Sequence, residues 1–81
     1  MRLDKYLKIS RIIKRRTVAN EACDAGRVEV NGKIARASLS IKVGDSISIK
    51  FGDKTTMLEI LEVKENVRKE DTSSMYRIIQ L

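Results

Sequence analysis

The stretch "SRIIKRRTVANEACDAGRVEVNG", residues 10–32, contains a change of hydrophobic period, from that of a helix to that of a strand, from which the fold class follows. Residues 17–25 have apolar side chains at helical spacing, which predicts a helix with Thr17 as its cap. The predicted apolar stripe of this helix is Val18, Ala19, Ala22 and Cys23. Gly26 follows at the position where a left-handed residue commonly ends a helix.

The second half of the same stretch has the period of a β-strand. Val28 and Val30 alternate with polar residues, which predicts a short strand with both valines on one face. Asn31-Gly32 comes next and is the strongest local sign of a two-residue hairpin, because a type I′ turn requires positive φ at both positions. The stretch therefore predicts a helix followed directly by an antiparallel pair.

The residues before this stretch have a helical pattern, and the residues after it have the pattern of strands. Residues 2–9 predict a first helix with Leu3, Tyr6 and Leu7 on one face. Later turns at Gly44-Asp45 and Gly52-Asp53 separate further strands, including 54–64 and 75–81. The predicted fold class is α+β, with a two-helix N-terminal unit packed beside a small, mostly antiparallel sheet.

Two further expectations concern the strand half of the chain. Ile47, Ile49 and Phe51 alternate along one strand and are predicted to face the core, as is Tyr6. The polar segment 65–74 is predicted to be a mobile loop.

Charge is distributed very unevenly along the chain. The 81 residues carry a formal net charge of +6, and residues 1–16 account for all of it with seven cations and one acid. Residues 17–81 contain ten cations and ten acids. A clustered basic excess predicts a polyanionic partner, provided that these cations are not neutralised by internal carboxylates.

Three of the cations stand at an electrostatically unfavourable place. Lys14, Arg15 and Arg16 immediately precede the predicted second helix, where each cation costs about 0.3–1 kcal/mol against the helix dipole. Free N–H groups at a helix N-terminus and flanking guanidinium groups together form a phosphate site. Asn20, one turn further on, is placed to add a contact to sugar or phosphate.

The residues needed for catalysis are largely missing from the sequence. It has no His, and its single Cys23 lies on an apolar stripe, so we expect no catalytic residue, no metal and no cofactor. Only two Tyr and one Phe are available, which disfavours base stacking and favours recognition of RNA backbone and shape.

The sequence also indicates a compartment. The charged N-terminus has no signal-peptide core, and no apolar run approaches the length of a membrane span. We therefore expect a cytoplasmic protein that does not contact membranes.

Several of these motifs together resemble the S4-type RNA-binding domain. The resemblance lies in "RLDKYL", Arg16-x-x-Ala19, Gly26-x-Val28-x-Val30-Asn31-Gly32 and Lys42-Val43-Gly44-Asp45. It implies the two-helix alpha-L motif and a single S4-like domain over 1–81, with a core motif of about 1–51 and extra strands at 54–64 and 75–81. Arg15 departs from the pattern, because many members have Ser or Thr at that position.

Within that domain family, the start "MRLDKYLK" and the block "IIKRRTVANEACDAGRVEVNGK" are most similar to the RqcP family of bacterial ribosome-associated quality-control factors. They are also similar to the fifteen-kilodalton heat-shock proteins. The resemblance implies binding to large-subunit rRNA and peptidyl-tRNA on stalled, split ribosomes. It also implies support for alanine tailing of the nascent chain by an NEMF-type partner, and a monomer away from the ribosome. Arg2 and Arg16 match the family's functional arginines. The predicted RNA-binding residues are Arg2, Lys5, Lys8, Arg11, Lys14, Arg15, Arg16 and Asn20.

Other functions remain open on the sequence alone. Within the RNA-binding class, the alternatives are heat-shock-type ribosome recycling and a general ribosome-assembly factor. A second class is a protein-interaction module without an RNA role, because residues 37–81 are electrically neutral. A third is an RNA-processing enzyme reduced to its binding domain.

Overall fold

The computed structural model describes residues 1–79 and has two helices followed by a five-stranded sheet. The elements are α1 Leu3–Ile9, α2 Arg16–Asp24, β1 Val28–Val30, β2 Lys33–Ile34, β3 Ser46–Phe51, β4 Lys54–Ile60, a 3-10 helix Lys69–Ser74 and β5 Tyr76–Ile79. The strand order is β2-β1-β3-β4-β5, and every neighbouring pair is antiparallel. The predicted α+β class is therefore confirmed.

The transition from α2 into the sheet follows the local signals of the sequence. Gly26 has φ of +74°, and the N–H groups of Gly26 and Arg27 donate to Cys23 O and Ala22 O, which is the Schellman pattern. Asn31 and Gly32 then adopt φ values of 53° and 84°, as a type I′ turn requires. This turn pairs Val30 with Lys33 and fixes the register of β1 and β2.

α1 is only seven residues long and is held by contacts distant in sequence. The N–H groups of Leu3 and Asp4 donate to Leu39 O at 2.8 Å and Ala37 O at 3.2 Å. An isolated helix of this length is unstable in water. The segment 37–39 thus takes the place of a capping side chain at the start of α1.

The core lies between α1 and the central strands. Fully buried side chains from both sides are Leu3, Tyr6, Leu7, Ile47, Ile49, Leu58, Ile60 and Met75. The Tyr6 hydroxyl donates to Met75 O at 2.9 Å, so the first helix is tied to the start of the last strand. The same carbonyl accepts the N–H groups of Leu61 and Glu62, at 2.8 and 3.1 Å.

A buried carboxylate links two turns of the sheet. Asp45 accepts hydrogen bonds from the Lys42 N–H at 3.0 Å and from Asn31 Nδ2 at 3.1 Å. Asn31 Oδ1 in turn accepts the Ser46 N–H at 3.0 Å. The β1–β2 hairpin and the turn before β3 are therefore joined by side-chain hydrogen bonds.

The structure corrects three predictions about individual residues. Thr17 is not the cap of α2, because the helix begins at Arg16 and Arg15 is its N-cap residue. Val18 is 41% exposed, since α2 buries only Ala19, Ala22 and Cys23. Phe51 is 44% exposed because it lies at the end of β3, beside the hairpin turn.

Three predicted segments also differ. β4 ends at Ile60 rather than 64, because the next two N–H groups donate to Met75 O instead of continuing the ladder. Part of the predicted loop 65–74 is a 3-10 helix, Lys69–Ser74. The predicted strand 75–81 begins one residue later, at Tyr76, and its last two residues lie outside the described part of the chain.

Candidate nucleic-acid interface

Asp4 is the centre of a polar cluster on the two-helix unit. Its carboxylate is buried, and Arg2 Nε donates to it at 3.2 Å, the Lys5 N–H at 2.8 Å and Asn20 Nδ2 at 3.3 Å. Arg16 Nε lies 3.4 Å from the same carboxylate. We call Arg2, Asp4, Arg16 and Asn20 the Asp4 cluster. It joins the start of α1 to the first turns of α2.

The electrostatics of the cluster favour the ionised carboxylate. Burial alone raises the pKa of Asp4, but hydrogen bonds from Asn20, Arg16 and the Lys5 N–H, together with the charge of Arg16, outweigh it. The pKa of Asp4 is therefore lowered from its ordinary value of 3.8. Two guanidinium groups share one carboxylate, so the cluster keeps a net positive charge and unused N–H donors.

The start of α2 lies in this cluster and lacks internal partners for its backbone. The N-cap residue Arg15 makes no capping hydrogen bond with its side chain, and the first turn contains no acid. Within residues 1–79, the N–H groups of Thr17 and Val18 donate no hydrogen bond. Unlike α1, α2 thus presents free N–H groups and the positive end of its dipole beside two arginines, which suits an anion.

Arg2 and Arg16 share an internal carboxylate, because both contact Asp4. One carboxylate does not neutralise two guanidinium groups. Each guanidinium is still about half exposed, with side-chain exposures of 49% and 48%. The carboxylate fixes their positions without covering them.

The remaining predicted RNA-binding residues do not all join this cluster. Lys5 Nζ contacts Glu65 Oε1 at 3.2 Å, and Arg15 is exposed at the N-cap of α2. Lys8, Arg11 and Lys14 line a separate open cleft together with Arg68 and Lys69. We call these last five residues the cationic cleft. The basic excess of the first sixteen residues is therefore divided between two places.

Arg68 and Lys69, the other two cations of the cleft, were not predicted from the sequence. They lie in a region whose charges sum to zero, and they approach the first helix only through the path of the chain between β4 and β5. A local charge count offers no signal for such a contact.

Burial shifts the pKa of two further groups. Cys23 is buried, and burial together with the carboxylates of Asp4 and Asp24 raises its pKa to about 11. Burial likewise raises the pKa of Tyr6, with a smaller contribution from Tyr76. Both groups are uncharged at neutral pH, and the buried structural position predicted for Cys23 is confirmed.

Residues 1–79 contain no group of three or more His, Cys, Asp or Glu side chains arranged to hold a metal ion. Over the same range, none of the helices has the length and apolarity needed to cross a bilayer.

Comparison with known proteins gives the class of the chain first. The sequence profile of the family described as S4 domain matches residues 1–47, which makes this chain an S4-domain protein. The structure of Vibrio cholerae Heat Shock Protein 15, described as trimeric, superposes with a TM-score of 0.90 at 29% identity, covering 98% of this chain and 81% of that one.

The relatives found by sequence similarity define a narrower family than the S4 domain. A protein of Streptococcus pneumoniae named RQC P-site tRNA stabilizing factor is 56% identical over 98% of this chain and 90% of its own length. The protein of the same name from Bacillus subtilis is 46% identical over 99% of this chain and 93% of its own length. The chain belongs to the family of proteins named RQC P-site tRNA stabilizing factor.

Proposed function

We propose that this protein is an RNA-binding factor of bacterial ribosome-associated quality control in the cytoplasm. It binds large-subunit rRNA and peptidyl-tRNA on stalled, split ribosomes, and so supports alanine tailing of the nascent chain by an NEMF-type partner on the same subunit. The relatives' name, RQC P-site tRNA stabilizing factor, supports the assignment to this process. Away from the ribosome we propose a monomer.

The observation that carries this proposal is the Asp4 cluster beside the open end of α2. Arg2 and Arg16 come from different helices, and one buried carboxylate brings them together. Guanidinium groups held in this way lose less conformational entropy when they bind a phosphate than free side chains would. The free N–H groups of Thr17 and Val18 add donors for the same anion.

This arrangement suggests a mechanism of binding rather than catalysis. In the free protein, the positive end of the helix dipole repels Arg16. A phosphate at the start of α2 offsets this repulsion and therefore stabilises the bound state. Contacts to rRNA and to the backbone of peptidyl-tRNA hold the tRNA in place between additions of alanine. The protein contributes position and charge to this process, and no bond is made or broken by its side chains.

The test is cosedimentation with large subunits that carry peptidyl-tRNA, compared with intact ribosomes. The wild-type protein is expected to cosediment with the former and largely not with the latter. Arg16→Ala should weaken the association, whereas Arg36→Ala removes the same charge from an exposed site outside the Asp4 cluster and should not. Because Arg16 contacts Asp4, the unfolding temperature of the Arg16→Ala variant should be measured as well.

Equal cosedimentation of Arg16→Ala and Arg36→Ala would contradict the proposal. A loss of cosedimentation that is explained by unfolding of Arg16→Ala at the assay temperature would contradict it as well. A rescue by Arg16→Lys to an intermediate level would support a phosphate contact, since Lys keeps the charge but loses the planar fork.

Similarity to Heat Shock Protein 15 favours a second candidate, ribosome recycling of the heat-shock type. The two functions differ in what happens to the nascent chain. In cells lacking this protein, quality control predicts that alanine tails on stalled chains disappear. Recycling predicts that the tails persist while peptidyl-tRNA accumulates on large subunits.

A further inference from the structure

The cationic cleft contains charge that the sequence places far apart. Lys8, Arg11 and Lys14 come from α1 and the turn before α2, and Arg68 and Lys69 from the segment before β5. All five are exposed, and together they border an open cleft of about 860 Å³. Two of them lie beyond residues 1–47, the part that matches the S4 domain.

The cleft has little internal compensation for its charge. One carboxylate, Glu65, borders it, and that group contacts Lys5 outside the cleft. Within residues 1–79, none of the five cations forms an ion pair with an acidic side chain. The fold therefore brings like charges together and leaves them to solvent, which is unfavourable in the free protein and favourable for a polyanion.

Arg11 adds an independent observation. It follows the end of α1 with φ of 62°, in the left-handed region where Gly or Asn is usual and a long side chain is strained. Backbone strain of this kind clusters at functional sites, so the exposed cationic side chain of Arg11 is a candidate contact.

We propose that the cationic cleft is a second contact for RNA backbone, separate from the Asp4 cluster. Exposed cations bind a small anion weakly, because water screens each of them, so five of them around an open cleft suit a polymer that meets several at once. Ile9 and Val67 on the cleft wall offer apolar surface for ribose. This proposal rests on the proposed function, since it extends the surface on which the same RNA lies.

The experiment compares two double variants that lose equal charge. Arg68→Ala/Lys69→Ala removes two cations from the cleft, and Lys50→Ala/Lys54→Ala removes two from the β3–β4 hairpin, outside both groups. Binding to large subunits that carry peptidyl-tRNA is measured at several KCl concentrations. Two lost phosphate contacts should weaken binding about tenfold at 0.15 M salt and reduce the log–log salt slope by about 1.4.

A third variant separates binding from folding at the turn. Arg11→Gly removes the side chain and relieves the strained backbone, so it should bind less tightly while unfolding at the same or a higher temperature than the wild type. A lower unfolding temperature with unchanged affinity would make Arg11 a structural residue and overturn its role here.

The outcomes distinguish this inference from the proposed function. If Arg68→Ala/Lys69→Ala binds like the hairpin control while Arg16→Ala is impaired, the cleft is not a contact and the proposed function stands. If the wild-type protein does not bind the subunits at all, both proposals fail. The melting curve of each double variant confirms that it is folded in the assay.

Discussion

At the scale of single residues, an acid is central to a basic surface. Asp4 lowers the net charge of the two-helix unit, yet it is the group that Arg2, Arg16 and Asn20 all contact. The types and positions of these three partners in the sequence predicted them as site residues. Asp4 was not predicted, because its contact with Asn20 joins residues 16 positions apart and depends on how α1 packs on α2.

The lowered pKa of Asp4 predicts how stability depends on pH. A carboxyl whose pKa is lower in the folded state stabilises the fold above its unfolded pKa, about 4, and loses that contribution as pH falls through the folded pKa. In urea unfolding between pH 2 and 7, the wild type should lose stability below about pH 4 more steeply than Asp4→Asn.

The matched control is Asp53→Asn, which changes an exposed carboxyl in a hairpin turn. It should retain the steep wild-type dependence. A wild type and an Asp4→Asn variant with parallel pH profiles would show that the acid dependence arises elsewhere.

At the scale of elements, turns that depend on local residues were predicted, and boundaries that depend on contacts distant in sequence were not. Gly26, Asn31-Gly32 and Gly52-Asp53 determined their turns because backbone conformation there depends on the residues themselves. The end of β4 and the 3-10 helix were not predicted, since both depend on where the chain meets Met75 and α1. Phe51 has the right alternation, but the core ends before it.

The Asp45 carboxylate offers a prediction about the turns of the sheet. Asp45→Ala leaves the Lys42 N–H and the Asn31 amide without partners, which should cost about 1–3 kcal/mol. In a chain of this size each kcal/mol lowers the unfolding temperature by roughly 4–8 °C. Thermal unfolding followed by circular dichroism measures the change.

Asp53→Ala is a matched comparison, because Asp53 also follows a glycine in a turn but is exposed. It should change stability by less than about 0.5 kcal/mol. Similar losses in both variants would indicate that the turn position of Asp45, and not its buried hydrogen bonds, determines the effect.

At the scale of the whole molecule, charge is arranged by the fold as well as by the sequence. The count over residues 1–16 located the basic end of the chain, and the fold divides that end into the Asp4 cluster and the cationic cleft. Because the second group recruits Arg68 and Lys69 from a neutral region, it could not be found by counting charges along the chain.

This arrangement predicts a strong dependence of RNA binding on salt. If four to six phosphates are contacted, the logarithm of the association constant should fall with the logarithm of salt concentration with a slope of roughly −3 to −4. Filter binding to rRNA at several KCl concentrations measures it. Asp45→Ala, assayed well below its unfolding temperature, should keep the wild-type slope, whereas a slope near zero in the wild type would exclude phosphate contacts.

The carbonyl of Met75 has a consequence for biosynthesis. It accepts the Tyr6 hydroxyl and two backbone N–H groups, yet it lies 69 residues after Tyr6 in the chain. The first helix therefore waits for a segment that is translated 69 residues later. A growing chain cannot complete the anchoring of this basic helix until Met75 has left the ribosome.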